Sequence, residues 1–195
     1  MDAPDPLMSP FRLKGVTLRN RIVSASHEPS YSEDGLPGDR YRAYHVEKAR
    51  GGVGLTMIGG SALVSREVAP AFGNLQLWRE ESEPLLRQLA DEVHEQGAAV
   101  MTQLTHLGHR TSNYTHDWMP AISASNVREP AHRAFTKAAE QWDLDRVLQD
   151  FVEHGPEFRA APHLRGASSG ILPGMRADAT HRFEFQVDGG RRPPF

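Results

Sequence analysis

The segment Gln103–Arg110 concentrates side chains that can do chemistry, and it reads Gln-Leu-Thr-His-Leu-Gly-His-Arg. It begins at the end of the apolar run Ala98–Leu104, which predicts a β-strand. In parallel α/β proteins, sites form at the C-terminal ends of strands. The Gln103 amide offers a donor beside an acceptor, which suits the edge of a flavin pyrimidine, where a carbonyl lies beside an N–H. On these residues alone, a loop glutamine that caps backbone groups remains the alternative.

Histidines are the other reactive side chains of this region. His106, His109 and His116, with Asp117, could be drawn as a metal cluster. The sequence predicts no helix or hairpin that would fix their spacing, as a metal site requires. Cysteine is absent, which excludes disulfides, thiolate metal sites and a cysteine nucleophile. We therefore predict no metal site.

Strands and helices alternate through residues 1–153. Apolar runs predict the strands, and apolar residues at helical spacing between capping signals predict the helices. In chain order they are the strand Arg21–Ser26, the helix Arg40–Arg50, the strand Val53–Ile58, a helix from Ser82 that Gly97 ends, the strand Ala98–Leu104 and a helix from Asp143 to about Glu153. This order predicts an α/β fold with a parallel sheet and crossover helices. By spacing alone, three or four such units would make half of a (β/α)8 barrel or a small doubly wound sheet.

Residues 154–195 have a different composition. They are rich in Gly, Pro and Arg, contain no Lys, and show no regular period apart from a short alternation at Phe183–Val187. We therefore expect two parts, a partial barrel over residues 1–153 and a poorly ordered tail over residues 154–195. A shifted reading frame in a GC-rich gene would explain the abrupt change, and the nucleotide sequence of the gene tests that hypothesis.

Composition excludes several classes of protein. The 195 residues carry a net charge of -3, which gives no basic surface for nucleic acid. The N-terminus lacks the layout of a signal peptide, and no apolar run is long enough to cross a bilayer. The absence of cysteine fits a reducing compartment. We expect a cytoplasmic protein with no nucleic-acid partner and no membrane contact.

Four stretches in this chain, in order from about Met8 to Glu153, resemble those of one known family. They are Pro10–Val23, Tyr44–Leu55, Val93–Gly97 and Gln103–Arg110. Together they resemble the Old Yellow Enzyme / NADH:flavin oxidoreductase family, including its Leu-x-Asn-Arg-Ile/Val opening and its Gln-Leu-x-His-x-Gly-Arg element. The branch that they resemble most contains 2,4-dienoyl-CoA reductase and the N-methyl amine demethylases. The resemblance implies the N-terminal portion of a TIM (β/α)8 barrel, incomplete, followed by the irregular tail.

The resemblance also implies a cofactor and its site. The cofactor would be FMN, with NAD(P)H as electron donor and a small organic molecule, such as an N-methylated amine, as substrate. Six residues match positions that line the flavin in the family: Ala25, Ser26, His27, Glu28, Gly60 and Gln103. Tyr31 and His106 are candidate substrate-binding residues, and for Tyr31 a surface tyrosine is the alternative.

The chain departs from the family pattern in three places. Ser26, His27 and Glu28 stand where the family has Pro-Met-Thr or Pro-Met-Cys, so the tuning of the flavin is open. A carboxylate at Glu28 would attract a cationic amine, although a solvated or salt-bridged loop residue is the alternative. His109 interrupts the usual Gly-Arg, and Arg110 would serve instead. Nothing after Glu153 resembles the family's phosphate-binding loops or its substrate-anchoring pair.

Three functions follow from these patterns. The first is an FMN-dependent oxidoreductase that passes hydride between the flavin and a small substrate. The second is a truncated, non-catalytic fragment that cannot hold FMN alone and needs a second copy or a completing chain, since half a barrel leaves open sheet edges. The third is a small open-sheet binding module without a cofactor. Flavin absorbance after purification separates the first from the other two.

Overall fold

The computed structural model describes residues 5–13, 15–111, 120–128 and 135–154, together with three short strands between residues 164 and 185. The strands are β1 (Phe11–Leu13), β2 (Val16–Leu18), β3 (Val23–His27), β4 (Leu55–Leu63), β5 (Leu75–Gln76), β6 (Ala99–Thr105), β7 (Ala121–Ser123), β8 (Thr136–Ala138), β9 (Leu164–Ser168), β10 (Met175–Ala177) and β11 (Phe183–Phe185). The helices are α1 (Asp39–Arg50), α2 (Ser82–Glu95) and α3 (Gln141–His154), with short 3-10 turns at Pro6–Met8 and Gly108–Arg110.

The main sheet is parallel, and its strands lie in chain order. Its order is β3-β4-β6-β9, with the short β5 beside the end of β4. Every pairing in this sheet is parallel. A doubly wound sheet reverses its strand order at a switch point, whereas a barrel adds each strand beside the last. The uninterrupted order therefore favours the barrel over the doubly wound alternative.

One face of this sheet packs against all three helices. A single cluster of buried side chains joins residues of α1, α2 and α3 to residues of β4 and β6, among them Tyr41, Leu89, Phe151, Ile58 and Val100. In α2 the buried residues recur at helical spacing, which is the pattern of a helix with one apolar face. Because the crossover helices share one core, they lie on one side of the sheet, as in a barrel.

Arg19 joins the C-terminal ends of two helices. Its guanidinium donates to the Val53 carbonyl at 3.1 Å from Nε and to the Gln96 carbonyl at 2.7 Å from Nη1. It also donates to the Ala49 carbonyl in the last turn of α1. The last carbonyls of a helix have no partner within the helix, and a cation at that end complements the helix dipole. The segment after β2 therefore fixes α1 and α2 against the start of the sheet.

The predicted elements occur in the structure, with shifted ends. The first strand begins at Val23 and reaches His27, and the second continues through the two glycines to Leu63. The predicted helix from Asp143 begins two residues earlier, at Gln141. Ser82 is the first residue of α2, and its hydroxyl donates to the Gln76 carbonyl at 2.6 Å instead of capping the helix.

Three strands lie within the range predicted to be a poorly ordered tail. β9 pairs in parallel with β6, and β10 pairs with β11 in an antiparallel hairpin that includes the Phe183–Val187 alternation in part. β9 was not predicted, because Leu164–Ser168 has neither a β-branched run nor an alternating pattern. The rest of residues 155–195 lies outside the described residues, so the division at residue 153 stays a prediction.

Candidate functional site

The C-terminal ends of the parallel strands bring three of the predicted site residues to one edge of the sheet. Ser26 is the penultimate residue of β3, and Gln103 is third from the end of β6. Gly60 lies between them in sequence, near the end of β4. Parallel strands present their C-terminal ends together, which is where sites form in this class of fold. The edge is therefore the candidate functional site.

Irregularities in two strands shape this edge. The register between β3 and β4 shifts between Ser24 and His27, and the register between β4 and β6 shifts between Ile58 and Ala62. Bulges of this kind re-aim side chains and occur next to active sites. Both shifts fall where site residues were predicted, so the regular pairing of the strands is interrupted at the candidate site.

Gly59 allows the two bulges to touch. A Cβ atom at this position would lie 2.2 Å from the His27 backbone nitrogen and 2.4 Å from the Ser26 backbone. These atoms cannot move aside without shifting β3, so only glycine fits. The resemblance to the family assigned a flavin-lining position to Gly60. The approach that the structure describes is that of Gly59 toward β3, and the role of Gly60 stays a prediction.

Gln103 faces away from the helices. Val100 and Leu104 of β6 are buried in the helix-side core, so Met101 and Gln103 point to the opposite face. Met57 of β4 lies on that face too, because its neighbours Thr56 and Ile58 face the helices. Met57, Met101 and Gln103 are half-buried. The surface beside Gln103 is therefore apolar and partly open, as binding of a flat aromatic ring requires.

The His27 side chain points toward the helices, away from the face that carries Gln103. Its Nδ1 lies 3.1 Å from the Tyr44 hydroxyl of α1, on the helix side of the sheet. Ser26 and Ala25 fall inside the bulge and are exposed. A flavin contact by His27 would therefore involve its backbone, while Ala25 and Ser26 have free access to the edge.

Glu28 supports the loop that follows β3. Its Oε1 accepts a hydrogen bond of 2.7 Å from the backbone N–H of Ser30. Ser30 has a φ of 55°, in the left-handed region that non-glycine residues rarely occupy. The side chain of Ser30 donates to the Phe72 carbonyl, and that of Ser32 donates to the Gly73 carbonyl, at 2.7 and 2.6 Å. Glu28 thus holds a turn that joins the loop after β3 to the loop after β4.

Tyr31 packs into the same region. It contacts the main core cluster, lies edge-on to Tyr44 with ring centroids 5.6 Å apart, and carries the Arg40 guanidinium 3.9 Å above its ring. These contacts fix the ring between β3 and α1. They are the contacts of a packing residue, and contact of Tyr31 with a substrate stays a prediction.

His106 is buried at the end of β6. Its Nδ1 accepts a hydrogen bond of 3.1 Å from the Gly108 N–H. Its Nε2 lies 3.9 Å from Glu67 Oε1, which is too long for a hydrogen bond. The side chain of His106 is 6% exposed. The structure therefore places His106 close to Gln103 in the chain but inside a polar cluster, and its contact with a substrate stays a prediction.

Helix α3 supplies the rest of that cluster. Arg146 donates to Glu67 Oε1 from Nε at 2.9 Å and approaches the same oxygen with Nη2 at 2.7 Å. Asp150, one turn further along α3, accepts a short hydrogen bond from the Ser65 hydroxyl. Both contacts join α3 to the loop that follows β4. Glu67, Arg146 and Asp150 were not predicted as site residues, and only the spacing of Arg146 and Asp150 on one helix face could have indicated them.

The two carboxyls of the cluster have opposite electrostatic environments. Burial acts to raise the pKa of Glu67, but contacts with His106 and Arg146 outweigh it and hold that pKa below its ordinary value. Because the His106 contact is long, Arg146 is the stronger of the two partners. Burial raises the pKa of Asp150, and the nearby Glu67 charge adds to the rise. Glu67 is therefore the anion of the pair that the cluster stabilises.

Within the described residues, no group of three or more His, Asp or Glu side chains could hold a metal ion. His116 and Asp117, part of the cluster considered from the sequence, lie outside those residues. In the same part of the chain, none of the helices has the length and apolar character to span a membrane.

Comparison with known proteins gives consistent relatives. A protein of Rhizobium meliloti described as "Probable N-methylproline demethylase" is 53% identical over 156 residues, which are 80% of this chain and 23% of that protein. "Multifunctional alkene reductase/demethylase OYE" of Caballeronia cordobensis is 45% identical over 184 residues, 89% of this chain and 27% of that protein. This chain therefore spans about a quarter of the length of these two relatives.

Solved structures give the same fold at lower identity. Morphinone reductase in complex with tetrahydroNAD superposes with a TM-score of 0.75 at 17% identity, over 84% of this chain and 49% of that one. Old Yellow Enzyme from Pichia sp. AKU4542 superposes with a TM-score of 0.75 at 16% identity, over 85% and 46%. The parallel sheet is thus part of a TIM barrel. Residues 6–161 match the NADH:flavin oxidoreductase / NADH oxidase family, and the chain belongs to that family.

Proposed function

We propose that this chain supplies the ring-binding part of an FMN site in an oxidoreductase that transfers hydride between the flavin and a small organic substrate. The observation that carries the proposal is the position of Gln103. It lies at the C-terminal edge of the parallel sheet, on the face away from the helices, beside two methionines. Family membership supports a flavin as the group bound there.

The residues at this edge fit a flavin ring by their chemistry. The Gln103 amide can donate to a ring carbonyl and accept from a ring N–H at the same time. Met57 and Met101 offer polarisable apolar surface for the ring plane. The exposed bulge at Ala25 and Ser26 leaves backbone groups of β3 accessible along the ring. Bound here, the flavin would supply the redox chemistry, and the chain would bind and orient it.

An N-methylated amine is the substrate class that we propose. The support is that two relatives carry demethylase in their names, one of them for N-methylproline. The Glu28 carboxylate, directly after β3, adds a negative charge that attracts a cationic amine. One oxygen of this carboxylate accepts the Ser30 N–H, and the carboxylate keeps its negative charge. Glu28 can therefore hold the turn and attract a cation at the same time. NAD(P)H is the electron donor that the family membership supports.

A second candidate concerns the 195-residue chain by itself. In the part of the chain that the structure describes, β3 pairs only with β4, so its other edge has no partner strand. Ile22 and Val23 at the start of this edge are 39% and 46% exposed. An open edge with apolar side chains recruits another strand. We propose that a second copy or a completing chain covers it, and that the chain alone holds FMN poorly.

Substitution of Gln103 tests the flavin site. Loss of two neutral hydrogen bonds of about 1 kcal/mol each should weaken FMN binding by roughly tenfold to thirtyfold in Gln103→Ala, measured by fluorescence titration. Gln88→Ala is the matched control, because Gln88 lies on the exposed face of α2, hydrogen-bonded to Glu92 at 2.9 Å. Equal FMN affinity in Gln103→Ala and Gln88→Ala would refute the assignment of Gln103.

A further inference from the structure

The hydrogen bond to the His106 ring defines which of its two nitrogens carries the proton. Because the Gly108 N–H donates to Nδ1, that nitrogen is unprotonated in the neutral ring, and the ring proton belongs to Nε2. Nε2 is buried and has no hydrogen-bond partner in the described part of the chain. A buried N–H without an acceptor is unfavourable in free energy. An acceptor close to Nε2 therefore has a strong effect on the orientation of the ring.

The Glu67 carboxylate provides an acceptor near this nitrogen. Its Oε1 lies 3.9 Å from Nε2, and a movement of about 1 Å would make a hydrogen bond of ordinary length. The carboxylate cannot drift far in the other direction, because Arg146 holds the same oxygen with two nitrogens. Arg146 is itself 3.4 Å from Asp143, whose side chain is 1% exposed. Glu67 is thus fixed to α3 and faces the His106 ring.

The segment that follows Gln103 depends on this ring. Gly108 has a φ of 55°, and its N–H bonds to His106 rather than to the backbone. Three residues later the Thr111 hydroxyl donates to the Ala69 carbonyl at 2.7 Å, which joins this segment to the loop containing Glu67. The His106 ring and the Thr111 hydroxyl therefore hold the short turn at Gly108–Arg110 that follows β6.

We propose that Glu67 is a positioning residue of the candidate flavin site, which orients His106 and thereby fixes the segment after Gln103. The description of the site as flavin-binding rests on the function proposed above. The positioning itself does not, because the contacts of Glu67, His106 and Gly108 exist without a flavin. In this arrangement α3 fixes the end of β6, because Arg146 of α3 holds Glu67 and Glu67 orients His106.

Hydrogen exchange of the Gly108 amide tests the proposal in the full chain without flavin. In Glu67→Ala this amide should exchange about tenfold faster, as expected for the weakening of one hydrogen bond, while the amides of Leu89 and Val93 in α2 keep their protection. Glu67→Gln retains an acceptor oxygen toward Nε2 and should restore the protection. Glu83→Ala is the matched control, since Glu83 also pairs with an arginine, Arg87, at 2.8 Å.

Unchanged exchange at Gly108 in Glu67→Ala, or failure of Glu67→Gln to restore it, would overturn the proposal. A second measurement needs no variant and so does not depend on the folding of one. Nitrogen-15 spectra of the histidine rings at pH 8 should show His106 protonated at Nε2 and not at Nδ1. A proton on Nδ1 would remove the Gly108 contact and with it the proposal. Neither measurement involves FMN, so a failure here is distinct from a failure of the flavin assignment.

Discussion

The guanidinium of Arg19 donates to the carbonyl of Gln96, 77 residues away in the chain, at 2.7 Å. The same side chain donates to the Ala49 carbonyl in the last turn of α1 and to the Val53 carbonyl, three residues after that helix ends. One residue between β2 and β3 thus caps the C-terminal ends of two helices. In the sequence, Arg19 stands out only as part of a Leu-x-Asn-Arg motif.

Removal of this side chain should destabilise the protein. We expect Arg19→Ala to lower the free energy of unfolding by about 3 kcal/mol, because several carbonyls lose a charged donor. The free energy of unfolding of Arg19→Lys should lie between those of the wild type and Arg19→Ala, since an ammonium keeps the charge but cannot reach carbonyls on both helices. Urea unfolding followed by circular dichroism measures both. A stability of Arg19→Ala within about 0.5 kcal/mol of wild type would contradict the capping role.

Buried His45 should make the protein sensitive to acid. Burial, with a smaller effect of Lys48, lowers the pKa of His45 from 6.5 to about 3. The folded protein therefore keeps this ring neutral at pH values where the unfolded chain protonates it. The stability that His45 contributes is complete above pH 6.5 and is lost as the pH falls toward 3.

The loss of stability across that interval should be on the order of a few kcal/mol. His45→Gln does not titrate, so its free energy of unfolding should fall less steeply between pH 6.5 and pH 4 than that of the wild type. Above pH 6.5 the difference between the two proteins should be constant. Parallel slopes between pH 6.5 and pH 4 would show that His45 is protonated in the folded protein.

The contribution of Asp150 to stability should change with pH in the direction opposite to that of His45. Its folded pKa is raised, chiefly by burial, so its contribution to stability is present at low pH and is lost as the pH rises through that pKa. Asp150→Asn keeps an acceptor for the Ser65 hydroxyl and removes the charge near Glu67. Relative to wild type, we expect this variant to gain stability between pH 4 and pH 7 in urea unfolding. A relative loss of stability over that range would contradict the environment assigned to Asp150.

Apolar runs and glycines allowed the sheet, its helices and the position of Gln103 to be predicted from the sequence. The predicted strand ended at Ile58, before Gly59 and Gly60, yet β4 continues to Leu63. In a strand, glycine also marks a bulge where another backbone approaches closely, and here that backbone is Ser26–His27. Local pattern cannot separate these two uses, because the partner belongs to another strand.

Long-range polar contacts were beyond prediction for a similar reason. Arg146 and Glu67 are 79 residues apart, and nothing local to either residue indicates the other. β9 also lacks a local signal, and its parallel pairing with β6 is what defines it as a strand. Residues whose structure depends on a distant partner are therefore the ones that local sequence patterns do not predict.

The 195-residue chain should bind FMN and riboflavin with equal, weak affinity. Gln103 and the turn after β3 are predicted to contact only the ring, and such contacts contribute on the order of 1 kcal/mol each. Association itself costs at least several kcal/mol. In barrels of this kind the phosphate is held by loops after the seventh and eighth strands. Fluorescence titration with both flavins measures this, and tight, stoichiometric binding of FMN but not of riboflavin would contradict it.

A titration of the nitrogen-15-labelled chain with FMN, followed by two-dimensional NMR, tests the flavin site most directly, because it detects weak binding residue by residue. Shift changes should concentrate at the C-terminal edge of the sheet, at Ala25–Glu28, Gly60 and the side-chain amide of Gln103. The N-terminal ends of the same strands, at Val23, Leu55 and Ala99, should not respond. Changes confined to the N-terminal ends, or none at millimolar FMN, would contradict the account.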